Sequence, residues 1–339
     1  MFIYLLRRIL ALIPTLFGIT LVCFLIINLA PGGPIEQKIQ EIRRASMEGG
    51  GGGESNLGVS DEVIADLKKQ YGFDKPIHTR YFLWIKNLSK LDFGMSHSEE
   101  EPALDVIISK FPVSLQFGII SFILTYLVCI PLGIMKAVKE GSKFDLGSSF
   151  VLIVMYSIPP LMLAILLITF FAGGSFYDWF PLTDIISDNY DELSFGGKIL
   201  DRIHHFILPL LCYMIGSFTI LTFLMKNSLL DVLKLDYVRT ARAKGLSENT
   251  VIYKHAVRNA LIPIITGMSG FLAIFFSGSL VVELIFSLDG IGLLGYQSVL
   301  DRDYNVIMGL IFLQSLVLLI GRIITDVMYM VVDPRIDFN

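Results

Sequence analysis

Asp236-Tyr237-Val238-Arg239-Thr240-Ala241-Arg242-Ala243-Lys244-Gly245 lies between two apolar runs of a 339-residue chain, and its charges decide how the rest must be read. So basic a segment is too costly to place in lipid, so it faces one side of a bilayer and meets something there. On both sides of it, apolar residues come in long runs rather than at a period of two or 3.6, the pattern of helices exposed to lipid. Hydrophobic residues make up 54% of the chain and charged residues 17%. That composition overrides the two soluble domains that length alone would suggest.

Working outward, the charge-free runs place six spans at about 9–30, 111–135, 146–177, 206–225, 259–282 and 304–321. The first would be about 33 Å long as a helix, enough for a hydrocarbon core. It ends at Ala30-Pro31-Gly32-Gly33-Pro34, a helix stop and turn rather than a signal-peptide cleavage site. The expected fold is therefore an all-α integral membrane protein, one domain over residues 1–339. Pro131, the Pro159-Pro160 pair and Pro209 should kink or end helices. Residues 31–110 form a long polar excursion whose Gly49–Gly53 run is too flexible to order itself. Within it, Ser60 starts a short helix with Val63, Ile64, Leu67 and Tyr71 on one face. Tyr81, Trp84, Ile85 and Leu88 make a second apolar stripe, suited either to the membrane interface or to packing on the spans.

Charge gives the orientation. With the N-terminus inside, Arg7, Arg8 and the segments 136–145 and 226–258 carry the excess of lysine and arginine. The segments 31–110, 178–202 and 285–303 are net acidic. Short loops then obey the positive-inside rule, with both termini cytoplasmic. Arg322 and Asp326, one helical turn apart, are expected to neutralise each other.

The chain has no P-loop; its Gly197-Lys198 pair lacks the upstream glycine and runs into Ile199. It contains neither a Gly-x-Ser-x-Gly elbow nor a His-Glu-x-x-His pair. His204 and His205 point different ways on a helix and lack a carboxylate at metal-ligand spacing. Cys23, Cys129 and Cys212 each sit in an apolar run and read as small hydrophobes. No catalytic, cofactor-binding or metal-binding residue is expected. The six runs also lack Asp, Glu, Lys and Arg, whereas ion-coupled transporters keep ionisable groups at mid-membrane. A transport protein of this kind receives its energy from a partner.

The basic stretch is the place for that partner. Tyr237 to Lys244 is a good helix former, and Gly245 suits its C-terminal stop. The helix would be roughly 12 Å long, and Ser247 would cap the next one. By composition, lipid headgroups and a protein groove explain such a helix about equally.

The stretch 236–246, followed by His255-Ala256-Val257-Arg258-Asn259-Ala260-Leu261-Ile262-Pro263, resembles the cytoplasmic signature loop of ABC-importer permeases. More narrowly it is similar to the B-type permeases of the dipeptide/oligopeptide/nickel group. Further likeness lies in Tyr71-Gly72-Phe73-Asp74-Lys75-Pro76, Phe111-Pro112-Val113-Ser114-Leu115, Arg302-Asp303-Tyr304 and Asp333-Pro334-Arg335-Ile336. The segments Phe171-Ala172-Gly173-Gly174-Ser175 and Phe180-Pro181-Leu182 resemble the Yej-type peptide permeases.

The resemblance implies a type I importer permease fold in a bacterial inner membrane. It also implies a short coupling helix, Tyr237, Val238, Arg239, Thr240, Ala241, Arg242, Ala243, Lys244 and Gly245, that docks on an ATPase subunit. Expected partners are a second permease, two ATPase subunits that hold ATP-Mg, and an extracytoplasmic binding protein; the cargo would be oligopeptides or peptide-like compounds. Nickel or glutathione import within the same family, and a secondary transporter outside it, are the competing readings. Asn28, Tyr156 and Ser157, polar groups within apolar runs, are the candidates for the translocation pathway. Departures from the family pattern are Arg239-Thr240-Ala241 in place of Glu-Ala-Ala, Val257-Arg258 in place of Leu-Pro, Asp289 in place of Pro before Gly290-Ile291-Gly292, and Lys226 in place of an arginine pair.

Overall fold

The computed structural model describes residues 2–29, 39, 64–65, 74–174, 176–268 and 278–332. The Gly49–Gly53 run and most of the helix expected after Ser60 lie outside them. The described residues are helical, with a single isolated bridge between Met95 and Pro102. The helices are α1 (Phe2–Leu29), α2 (Ile77–Leu88), α3 (Ala103–Val138), α4 (Lys143–Ser157), α5 (Pro160–Phe171) and α6 (Phe195–Leu233). They continue with α7 (Asp236–Ala243), a π-helical segment (Thr250–Ala256), α8 (Val257–Ala260), α9 (Leu280–Ile285), α10 (Ile291–Leu300) and α11 (Tyr304–Val332).

Four of these, α1, α3, α6 and α11, are long and apolar enough to cross a membrane, and the pair α4–α5 makes a fifth if it counts as one bent span. The bend is 97° and falls at Pro159-Pro160, where the second proline cannot donate a helical hydrogen bond and the first is driven out of the α region. Three other prolines sit within helices. α3 runs through Pro112 and Pro131, and α6 through Pro209, without ending. Each loses one backbone hydrogen bond, a loss that packed neighbours make tolerable. Part of the span expected at 259–282 lies outside the described residues. The segment 285–303, expected as a loop, holds α10.

Contacts group the chain into two units. One comprises residues 1–8, 110–293 and 316–339. One of its cores joins Phe117, Phe206, Leu208, Val282 and Phe286, with Phe117 stacked on Phe206 at 4.3 Å. A second core joins Cys129, Leu221, Met225, Leu229, Ile252 and Ile264. Cys129 and Cys212 are buried free thiols within these clusters. Asp326 does not pair with Arg322 as the turn spacing suggested. It meets Arg8 at 3.3 Å, a partner brought in from the chain's start, while Arg322 stays exposed.

The other unit comprises residues 9–109 and 294–315. Here Tyr81 of α2 buries against Phe24 and Met308, with Trp84 and Ile85 beside it, so the aromatic stripe of α2 is packing surface. The Tyr81 hydroxyl meets the Thr20 hydroxyl at 2.9 Å. Asp303, fully buried, caps α11 by accepting from Val306 N–H at 3.2 Å. Its other oxygen accepts from Ser96 Oγ at 2.5 Å and from the backbone N–H groups of His97 and Ser98 at 2.7 and 3.3 Å. One carboxylate thus caps the start of a helix and fixes the turn that follows Gly94.

Candidate functional site

α6 hands the chain to α7 through only Lys234 and Leu235. Asp236 in the first turn and Arg242 in the last suit the helix dipole. Val238 and Ala241, at i and i+3, are buried against Val232, Leu233 and Val251. The remaining residues of the expected docking stretch, Tyr237, Arg239, Thr240, Arg242, Ala243, Lys244 and Gly245, are exposed. Two apolar anchors on one face and a basic surface on the other describe a short helix pinned to the spans and presented outward.

Its end is sharply defined. Gly245 has φ +78°, and its N–H donates to the Arg242 carbonyl at 2.9 Å while Leu246 N–H donates to the Ala241 carbonyl at 3.4 Å. This is the 6→1 and 5→2 pattern of a Schellman motif, and the left-handed residue it needs is the glycine. Arg242 reaches across the turn to hold Glu248 through two hydrogen bonds of 2.6 and 3.2 Å. Those bonds hold the Glu248 carboxyl below its usual range and raise Arg242. Both side chains are exposed, so the pair shapes the turn more than it stabilises the fold.

The helix that restarts after Ser247 is not an ordinary α-helix. Ser247 Oγ meets Thr250 Oγ1 at 2.9 Å, and residues 250–256 then adopt a π-helix with Val251, Ile252 and Ala256 buried. Single π turns are rare and concentrate at functional sites. Nothing in the pattern of charge or apolar spacing announced this one. Tyr237 bridges to it: its hydroxyl accepts from Asn259 Nδ2 at 2.7 Å and donates to the His255 carbonyl at 3.4 Å. Tyr237→Phe removes both contacts, worth about 0.5–1.5 kcal/mol each when intact. On the docking role expected from the family resemblance, the variant should assemble normally yet lose a few-fold in transport, measured as uptake per assembled complex.

The candidate pathway residues have different surroundings. Asn28 accepts from the Arg80 guanidinium and donates to the Phe24 carbonyl at 2.7 Å, which accounts for its polarity. Tyr156 and Ser157 are exposed just before the Pro159-Pro160 break, with Ser157 Oγ bonded back to the Ile153 carbonyl at 2.8 Å. His205 does have a carboxylate nearby, contrary to the reading above. Asp201, four residues earlier on α6, lies 3.7 Å from its Nδ1, and its backbone carbonyl lies 2.9 Å from the same atom.

Two polar nodes were not foreseen as clusters, because their charged residues flank the apolar runs far apart in sequence. Glu283 is fully buried and accepts on one oxygen from Ser114 Oγ (2.8 Å), Tyr213 Oη (3.1 Å) and Ser279 N–H (3.1 Å). Its other oxygen accepts from Leu293 N–H at 2.8 Å. The second node gathers Lys136, Asp145 and Lys226.

Comparison with known proteins completes the picture. Residues 129–338 match the family described as "Binding-protein-dependent transport system inner membrane component". The chain is 44% identical to the "Peptidoglycan transport system permease protein YejB" of Agrobacterium fabrum, covering 99% of this chain and 98% of that one. It is 45% identical to the "Inner membrane ABC transporter permease protein YejB" of Escherichia coli O157:H7, over 99% of both. At 34% identity it is similar to the "Oligopeptide transport system permease protein AppB" of Bacillus subtilis, over 99% of both. Among solved structures, the MetNI methionine ABC transporter in inward-facing form aligns with a TM-score of 0.51 at 15% identity. That alignment covers 68% of this chain and 97% of that one and speaks for the fold alone.

Proposed function

Since the chain belongs to the binding-protein-dependent transport inner membrane family and is a permease subunit of an ABC importer, we propose that it passes peptides or peptide-like compounds inward. Hydrolysis belongs to separate ATPase subunits. A relative named for peptidoglycan transport and one named for oligopeptide transport support this class of cargo. In this reading the chain makes half of the pathway with a second permease, two ATPases bind ATP-Mg, and an extracytoplasmic binding protein delivers the substrate. Both termini lie in the cytoplasm, and a sixth span runs through 259–282. Tyr156 and Ser157 line the pathway beside the bend, and Asn28 belongs to it through α1.

The observation that carries the reading is α7, two buried anchors and an exposed basic face closed by Gly245. Closure of the ATPases would push on this face, and α6 and the π segment would pass the movement to the spans. The test is affinity purification from native membranes followed by reconstitution. Co-purifying ATPase subunits and peptide uptake that stops without ATP are expected. Recovery as a lone homo-oligomer, or uptake without any ATPase, would overturn the reading.

A further inference from the structure

Lys136, on the last turns of α3, is fully buried. Its ammonium group spends its three hydrogens on the Asp145 carbonyl (2.9 Å), Ser148 Oγ (2.7 Å) and Ser149 Oγ (2.7 Å), all on α4, and lies 3.1 Å from the Asp145 carboxylate. Lys226 of α6 donates to both oxygens of the same carboxylate, at 2.8 and 2.7 Å. Gly141 N–H adds a further bond at 3.1 Å. Asp145 is thus the only acid in a node that holds two lysines, one from each flanking helix.

Two further contacts show how closely these helices meet. A Cβ on Gly133 of α3 would lie 2.6 Å from the Met225 Cβ of α6, so the two backbones touch at the residue next to Lys226. Two turns further on, Thr219 Oγ1 of α6 donates to the Leu152 carbonyl of α4 at 2.9 Å. Lys226 lies seven residues, about 10 Å at the helical rise, before the end of α6 at Leu233, and two residues later α7 begins.

The two lysines differ in what their loss would do. Without Asp145, two ammonium groups would share a buried site with no counter-charge, and the fold itself would suffer. Without Lys226, Lys136 keeps its three hydrogen bonds and its place beside the Asp145 carboxylate, and Gly141 N–H still donates to that carboxylate. The charged tie between α6 and α4 is cut, while the Thr219 bond to the Leu152 carbonyl remains. Lys226 is therefore dispensable for satisfying the buried charges. Its carboxylate clamp matters only if α6 and α4 must move together.

We propose that Lys226 is a positioning residue for transport: its clamp on Asp145 makes the α3–α4 hairpin move with α6, so that a push on α7 reaches the bent α4–α5 span. The proposal rests on α7 being the ATPase-docking helix. Thr219 already joins α6 to the far part of α4 and apolar packing joins α6 to α5, whereas the clamp is the charged tie at the N-terminal end of α4. With the clamp in place, the displacement of α6 is delivered to the N-terminal end of the bent pair.

The test uses the assembled importer with its binding protein in proteoliposomes, comparing wild type with Lys226→Met, Lys226→Arg and Gly245→Val. Lys226→Met should assemble at wild-type levels and keep basal ATPase. Transport per ATP hydrolysed should fall by about fivefold or more, the lower end of typical coupling between sites. Lys226→Arg, which can still clamp both oxygens, should restore it. If Gly245→Val is defective while Lys226→Met transports at the wild-type ratio, the clamp is refuted and the docking reading stands. If Gly245→Val is itself fully coupled, the docking reading fails first. Loss of assembly in Lys226→Met together with failure of Lys226→Arg to recover transport would mark the node as structural only and refute the proposal.

Discussion

Gly245→Val will leave the importer assembled but cut both transport and the stimulation of ATPase by the binding protein by more than about tenfold. The reason is conformational rather than steric. A Cβ at Gly245 would meet nothing within 4 Å, so there is room for a side chain. Its φ of +78°, however, is one that a β-branched residue resists at a cost of about 1–3 kcal/mol. Relieving that strain means opening the bonds from Gly245 and Leu246 to the Arg242 and Ala241 carbonyls. The last turn of α7 would then loosen, and with it the exposed face of Arg242, Ala243 and Lys244. Since every 1.4 kcal/mol is a factor of ten in an equilibrium, strain of this size is enough to depopulate the docked geometry. Gly245→Asn tolerates the left-handed region and should keep most activity. The measurements are co-purification of all subunits, peptide uptake, and ATPase rate with and without the binding protein. Full coupling in Gly245→Val would remove α7 from the energy path.

Much of the architecture was legible because lipid enforces simple rules. Charge-free runs of about twenty residues became helices α1, α3, α6 and α11, and the proline pair at 159–160 became the 97° bend. Gly245 fell where a basic helix had to stop. The misreadings share a physical origin, in that local sequence does not report which backbone groups a neighbour can satisfy. Lys136, Asp145 and Lys226 were counted as inner-loop charge because they flank the apolar runs, yet Lys136 and Asp145 are buried and Lys226 is half-buried against them. Only four residues, 139–142, separate α3 from α4, and a connection that short forces the ends of the two helices together. That spacing was the available signal for the node. For the proposed docking segment, the helix and its stop were readable from residue type. The π turn and the Tyr237–Asn259 link were not, because both depend on how α7 folds back over residues 250–259.

Glu283→Ala should be the most damaging single change in the chain, acting on assembly rather than on coupling. Four donors converge on this carboxylate: the Ser114 and Tyr213 hydroxyls and the backbone N–H groups of Ser279 and Leu293. Ser114 in turn accepts from Ile291 N–H at 2.8 Å, so the acid indirectly fixes the start of α10 as well. Each buried donor left unpaired costs about 1–3 kcal/mol, and water has little route into a site with no exposed surface. The backbone around it is shaped to the carboxylate. A Cβ at Gly278 would lie 2.2 Å from Glu283 Oε1, and one at Gly290 2.5 Å from its carboxyl carbon. This gives the Gly290-Ile291-Gly292 stretch a physical reason: the turn into α10 must press its backbone against the acid. Glu283→Ala should therefore reduce the assembled permease recovered from membranes to a small fraction of wild type. Glu283→Gln keeps an oxygen for Ser114, Tyr213 and Ser279 but turns an amide toward Leu293 N–H, setting donor against donor at one contact only. Its recovery should fall between the two, with transport per assembled complex near wild type. Quantitative membrane blots and thermal inactivation in detergent distinguish the three proteins. Equal recovery of Glu283→Ala and wild type would mean that the node carries little of the fold's stability.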